Sequence, residues 1–145
     1  SYATEIGKLF PEVTVEEQAC PMWVPLVEYG ESNAPGADYF VEKYTSELMQ
    51  RDPKIDTIIL GCTHYPLLRP KIREALPESV ELISQGELVA SSLADYLLRH
   101  PEMEHRLSQG GEISYRTTEC PEKFEELASI FTGTEVRATR VKITG

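Results

Sequence analysis

Basic residues are scarce in this chain. Fourteen Lys and Arg stand against 24 Asp and Glu, for a formal net charge of −10 over 145 residues. Nucleic acid and anionic membrane are held by clustered Lys and Arg, so neither suits this chain as a partner. Long apolar runs are also missing. Nothing approaches the roughly 18 consecutive apolar residues that a membrane span needs. Cysteine is limited to Cys20, Cys62 and Cys120. Three is an odd number, and no pair has C-x-x-C spacing. This argues against a disulfide framework or a zinc site and fits a reducing cytoplasm. His64, His100 and His105 show no metal-ligand spacing. There is no internal repeat and no low-complexity segment.

What is present is an ordinary globular composition, 41% hydrophobic and 26% charged, in about one domain's length of chain. The stretch that organises it runs from Ile55 to Leu68. Thr57-Ile58-Ile59-Leu60 is apolar, rich in β-branched residues and closed by Gly61. Such a run has no polar face to alternate with, so it predicts a strand buried on both faces. Cys62, Thr63 and His64 follow at its carboxyl end. Ligands of open parallel sheets bind at that end.

Around it, helical periods alternate with short strand signals. Ser1 to Phe10 reads as a helix stopped by Pro11. Val13 to Gln18 alternates apolar and polar residues, which predicts a half-buried strand. Pro21 and Pro25 predict irregular chain through Tyr29, and Gly30 to Gly36 a loop. A helix is expected from Ala37 to about Arg51, with Phe40, Val41, Tyr44, Leu48 and Met49 on one face. Pro66 and Pro70 place an irregular turn over Tyr65 to Arg69 and a regular helix from Pro70 to Leu76. Val80 to Ile83 reads as a strand, Ser84-Gln85-Gly86 as a turn, and Glu87 to Leu98 as a helix turning Leu88, Leu93, Ala94 and Leu97 inward. Pro101 to Gly111 is a polar connection. A strand at Glu112 to Thr117, a helix at Pro121 to Phe131 and a strand at Glu135 to Ile143 complete the chain. The alternation predicts an α/β fold with a parallel sheet.

Gly61-Cys62-Thr63-His64-Tyr65-Pro66-Leu67-Leu68 resembles the second cysteine motif of the glutamate racemases. Ala19-Cys20-Pro21 with Val24-Pro25-Leu26-Val27-Glu28 and Gly30 is similar to an upstream segment of that family. Thr117-Thr118 before Pro121 and Phe124 resembles its C-terminal region. The three matches fall in family order. Aspartate racemases, which are similar, tend to carry Glu after Gly-Cys-Thr, so His64 points to the glutamate branch.

The resemblance implies a flavodoxin-like parallel α/β domain of the aspartate/glutamate racemase type, one half of a two-domain, pseudo-symmetric fold. The family's N-terminal half carries Asp-Ser-Gly and Ala-Cys-Asn-Thr motifs, the latter holding the other catalytic cysteine. Neither motif occurs here, so the chain is expected to correspond to the C-terminal part. Residues 1–85 would then form the second α/β domain, and residues 86–145 a returning segment that packs on the N-terminal domain. Without that domain, the returning strands would form a small sheet of their own, swap with another copy, or lack order.

The implied reaction is interconversion of L- and D-glutamate, supplying D-glutamate for peptidoglycan without pyridoxal phosphate or any other cofactor. It needs one acid/base group on each face of the α-carbon. By resemblance, Cys62 serves one face, His64 assists it, and Thr63 binds substrate. Glu28 matches a family glutamate near the site. A free thiol ionises near pH 8.5, so thiolate at pH 7 costs about 2 kcal/mol, which a neighbouring imidazole can offset. Glutamate itself must be held by local donors against the acidic field of the chain. Cys20 is structural by the same resemblance, and Cys120 has no counterpart. Related enzymes are often dimers, which leaves a homodimer open. Two other readings compete: another racemase of the superfamily, of aspartate or hydantoin type, and a folded piece with no turnover of its own.

Overall fold

The computed structural model describes residues 2–143. They divide into two compact units, one up to Ala90 and one from Ser91 onward. Each contains a parallel two-stranded sheet, as the alternation of elements predicts. Among the described residues no helix is long and apolar enough to cross a membrane.

The first unit begins with helix α1 (Tyr2–Leu9), whose expected first residue, Ser1, lies outside the described residues. Helix α2 (Trp23–Glu28) follows where irregular chain was expected. Pro25 is its third residue, and the amides of a helix's first turn have no acceptor within the helix, so a ring there removes no bond. Helix α3 (Pro35–Arg51) starts two residues before the expected position, with Pro35 presetting its first turn. It ends at Asp52, which precedes Pro53 and is extended. Val41 and Tyr44 are buried as expected. Ala37 and Thr45 join them, the Thr45 hydroxyl donating to the Val41 carbonyl at 2.8 Å.

Strand β1 (Thr57–Leu60) passes through a 3₁₀ turn (Tyr65–Leu68) and helix α4 (Arg69–Glu74) to strand β2 (Glu81–Ser84). This is a crossover between parallel strands, with Thr57 opposite Glu81 and Leu60 opposite Ser84. Pro66 and Pro70 each sit in a first turn, as their spacing predicts. Trp23, Val27, Val41, Leu60, Leu68 and Ile72 form the heart of the core. Leu68 and Ile72 are wholly buried.

Three further expectations for this unit fail. Residues 13–18 form no strand among the described residues, and Val13 is exposed. β1 is not buried on both faces: Ile59 is 40% exposed, and β2 pairs with only one edge of β1. Between that open edge and residues 13–18 lies a groove of about 820 Å³. Thirdly, no turn separates β2 from the next helix. Helix α5 (Gln85–Arg99) starts at Gln85, and none of its residues is buried. Leu88 and Leu93, expected inward, are exposed.

The second unit holds the one-turn helix α6 (Pro101–Glu104), strand β3 (Tyr115–Thr117), helix α7 (Pro121–Thr132) and strand β4 (Ala138–Arg140). β3 and β4 pair with one another in a parallel two-stranded sheet. Both strands are shorter than the sequence pattern suggests. Pro121 opens α7, and Gly133 closes it in the left-handed conformation (φ 67°), its amide donating to the Ser129 carbonyl at 3.0 Å. Glu125 accepts from the Ala138 amide at 2.8 Å and so ties α7 to β4. Val136 is the one buried hydrophobic residue among the described residues of this unit.

Candidate functional site

The Cys62-Thr63-His64 turn leaves the carboxyl end of β1 and enters the 3₁₀ turn directly. Two backbone bonds fasten it: the Tyr65 amide donates to the Cys62 carbonyl at 3.2 Å, and the Leu67 amide to the His64 carbonyl at 3.1 Å. Leu68, fully buried one turn later, anchors the segment in the core. The tight turn throws three side chains to one side.

His64 is their meeting point. Its Nδ1 lies 3.8 Å from the Cys62 sulfur and 3.3 Å from the Thr63 hydroxyl. Its Nε2 lies 3.2 Å from Oε1 of Glu28, the last residue of α2. Packing of α2 against the 3₁₀ turn brings Glu28 to a residue 36 positions later. The carboxylate can only accept, so in a neutral imidazole it favours the proton on Nε2 and leaves Nδ1 as an acceptor facing the thiol. Cys62 is half-buried and Thr63 exposed. All four residues singled out from the sequence, Cys62, Thr63, His64 and Glu28, therefore fall in one cluster.

Beneath the cluster lies a layer that the sequence does not reveal. Tyr65 meets the buried Trp23 edge-on, ring centroids 4.8 Å apart at 81°. Its hydroxyl lies beside the Cys20 thiol, which in turn reaches the Gln18 carbonyl at 3.7 Å. Burial, with the nearby Glu47 carboxylate adding to it, pushes the Cys20 thiol up to about 12. Burial beside Cys20 and Cys62 does the same to the Tyr65 hydroxyl, also to about 12. Cys20 is thus a neutral, buried thiol, in keeping with a structural role. No sequence signal marks the Tyr65–Trp23 contact, because ring geometry is decided by the packing of α2 against the turn. Among the described residues there is no group of three or more His, Cys, Asp or Glu side chains that could hold a metal ion. Cys120 is exposed and far along the chain, in the second unit.

No family model matches the chain. Individual proteins do. A glutamate racemase of Geobacter metallireducens is 37% identical over 133 residues, which is 92% of this chain and 48% of that protein. The crystal structure of a glutamate racemase isoform from Bacillus anthracis superposes with a TM-score of 0.79 at 30% identity, over 98% of this chain and 52% of that one. A glutamate racemase from Francisella tularensis, solved in complex with D-glutamate, gives 0.77 at 27% identity, over 99% and 52%. The chain spans about half the length of the curated relatives it matches.

Proposed function

We propose that this chain, which is similar to glutamate racemases along nearly its whole length and corresponds to about half of one, carries one side of a glutamate racemase site. The observation that supports it is the line from Glu28 through His64 to Cys62. With Nε2 protonated toward Glu28, the bare Nδ1 can take the Cys62 proton. The thiolate then removes the α-proton of glutamate from its own face. The resulting thiol returns a proton to that face in the reverse direction, while a second acid/base group acts on the opposite face. Thr63 offers a hydroxyl and a backbone amide to the substrate. The other group belongs to the portion of the relatives' length that this chain does not span. Residues 86–145 would pack on that portion. In the full assembly the product, D-glutamate, serves peptidoglycan synthesis in the cytoplasm, and no cofactor takes part.

One base cannot serve both faces, so the chain alone is expected to be inactive. The test is inversion of glutamate in D₂O, read as formation of the opposite enantiomer carrying deuterium at the α-carbon, measured with this chain alone and with a separately made other half of a racemase added. Inversion that appears only on mixing, and disappears with Cys62→Ser, is the expected result. Inversion by the chain alone would sink the proposal that a second half supplies the other base. Inversion of aspartate in preference to glutamate would overturn the substrate.

A further inference from the structure

Helix α2 is too short to hold itself in place. It has six residues, which is under two turns, and no side chain caps its amino end. Its position is therefore set by what it packs on. Two of its residues, Trp23 and Val27, are buried, and at four positions apart they share one face. Glu28 stands at the other end of the helix from Trp23 and meets His64 there.

Trp23 is joined to both neighbouring elements. Its ring meets Tyr65 of the 3₁₀ turn edge-on, centroids 4.8 Å apart at 81°. The ring of Tyr44 in α3 lies 6.1 Å away at 60°. Its Nε1 donates to the Phe40 carbonyl of α3 at 3.3 Å. The indole, only 4% exposed, is thus locked between α3 and the turn. Tyr65 follows His64 directly, and its amide donates to the Cys62 carbonyl at 3.2 Å. The two contacts of α2 with the turn, Trp23 with Tyr65 and Glu28 with His64, therefore fall on adjacent residues of that turn.

The two contacts are unequal. The Glu28 carboxylate is half exposed, and a contact that open holds weakly. A buried indole, set edge-on against another ring and hydrogen-bonded as well, holds far more strongly. The weaker contact cannot place the helix; the stronger can. The tolerance is small. A side-chain tip stands about 5–6 Å from a helix axis, so turning α2 by roughly 20° carries it about 2 Å. That breaks the 3.2 Å contact of Glu28 with His64.

We propose that Trp23 is a positioning residue of the site: its edge-on contact with Tyr65 fixes the rotation of α2 against the turn and so holds Glu28 at Nε2 of His64. Trp23 touches no reacting atom and acts through α2. This role rests on the reading of Glu28, His64 and Cys62 given above and adds to it what sets their geometry.

Alkylation of Cys62 by iodoacetamide at pH 7, followed in the intact chain on the peptide that contains it, reports how far His64 and Glu28 activate the thiol and needs no turnover. Glu28→Ala should slow it roughly threefold or more in the otherwise native chain. In a Trp23→Leu background the same change should slow it by less than about 1.5-fold, because Glu28 is already displaced. Trp23→Phe keeps a ring against Tyr65 and should retain most of the Glu28 effect. Val80→Ala truncates the core outside α2 and the turn, and should leave the Glu28 effect whole. An equal Glu28 effect in Trp23→Leu and in the native chain overturns the positioning role and leaves the Glu28–His64–Cys62 reading standing. Loss of the effect in Val80→Ala overturns the role too, since any loosening of the core would then do the same. So does a Trp23→Phe that falls to the level of Trp23→Leu. No Glu28 effect in the native chain overturns both the role and the reading beneath it. Should Trp23→Leu fail to fold by circular dichroism, Tyr65→Leu breaks the same contact from the other side and is judged by the same comparison.

Discussion

Glu28 is the residue whose role changes most once its surroundings are known. Its carboxylate is 47% exposed, and a contact that open contributes only about 0–1 kcal/mol to stability. In the proposed site its larger effect would be to fix the tautomer of His64, so that Nδ1 faces Cys62 without a proton. The two effects separate by substitution. Glu28→Gln keeps an oxygen that can accept from Nε2 and should slow the assembled enzyme by about fivefold or less. Glu28→Ala loses the orientation too and should cost roughly tenfold to a hundredfold, as other partners that orient a working histidine do. The measurement is the D₂O exchange rate of the assembled halves. Equal effects of the two variants would count against orientation.

Cys20 and Cys62 are both cysteines near strand ends in sequence, yet they differ physically. With its pKa pushed up to about 12 by burial, Cys20 remains a thiol at ordinary pH. Iodoacetamide at pH 8 should therefore label the half-buried Cys62 and the exposed Cys120 and spare Cys20, as counted by peptide mass. The same shift has a consequence for stability. The folded state holds the Cys20 proton more tightly than the unfolded state, whose thiol ionises near pH 9. This contribution is complete below about pH 9 and is lost as pH rises toward 12. Urea midpoints measured across that window should fall, and fall less in Cys20→Ala.

At the scale of elements, the 3₁₀ turn has a single fully buried side chain, with Tyr65 and Leu67 packed partly against the same core. Leu68 is fully buried while Pro66 and Arg69 beside it are exposed. Leu68→Ala should cost about 2–5 kcal/mol of unfolding free energy in urea. Because His64 lies in the same turn, the variant should lower exchange activity even at temperatures where it remains folded. Most of the elements were legible in the chain. The two prolines at Pro66 and Pro70 locate the turn and α4, and the run at Thr57–Leu60 locates β1. Helix α2 was not legible, because Pro25 reads as a breaker until it is known to stand in a first turn. Residues 13–18 have a strand's pattern and form no strand among the described residues. A pattern of alternation reports which face is apolar; only a neighbour supplies the ladder.

At the scale of the molecule, apolar surface is spent unevenly. The first unit has a continuous core of aromatic and aliphatic side chains. Of the described residues beyond Ala90, Val136 alone is a buried hydrophobic, and Leu88, Val89, Leu93 and Tyr96 leave an exposed apolar side on α5. Low burial means low local stability. Limited proteolysis should therefore cut first between His100 and Gly111 and elsewhere in the second unit, leaving a longer-lived product close to the first. An early cut inside α3 or α4 would contradict this ordering. The helical period of α5 was read correctly, but its direction was not, since periodicity locates an apolar face and cannot say what covers it.

The sequence by itself determined what is local: the strand that ends at Leu60, the Cys62-Thr63-His64 turn after it, the prolines that shape the next helix, and the alternation that makes each sheet parallel. These follow from backbone sterics and from apolar spacing within a few residues. Tertiary structure decided what spans distance. It brought Glu28 to His64 across 36 positions, set Tyr65 against Trp23, buried Cys20 while leaving Cys62 half-open, and left one edge of β1 facing a groove. Packing between elements sets those relations, and packing is a property of pairs of surfaces that no single stretch of chain contains.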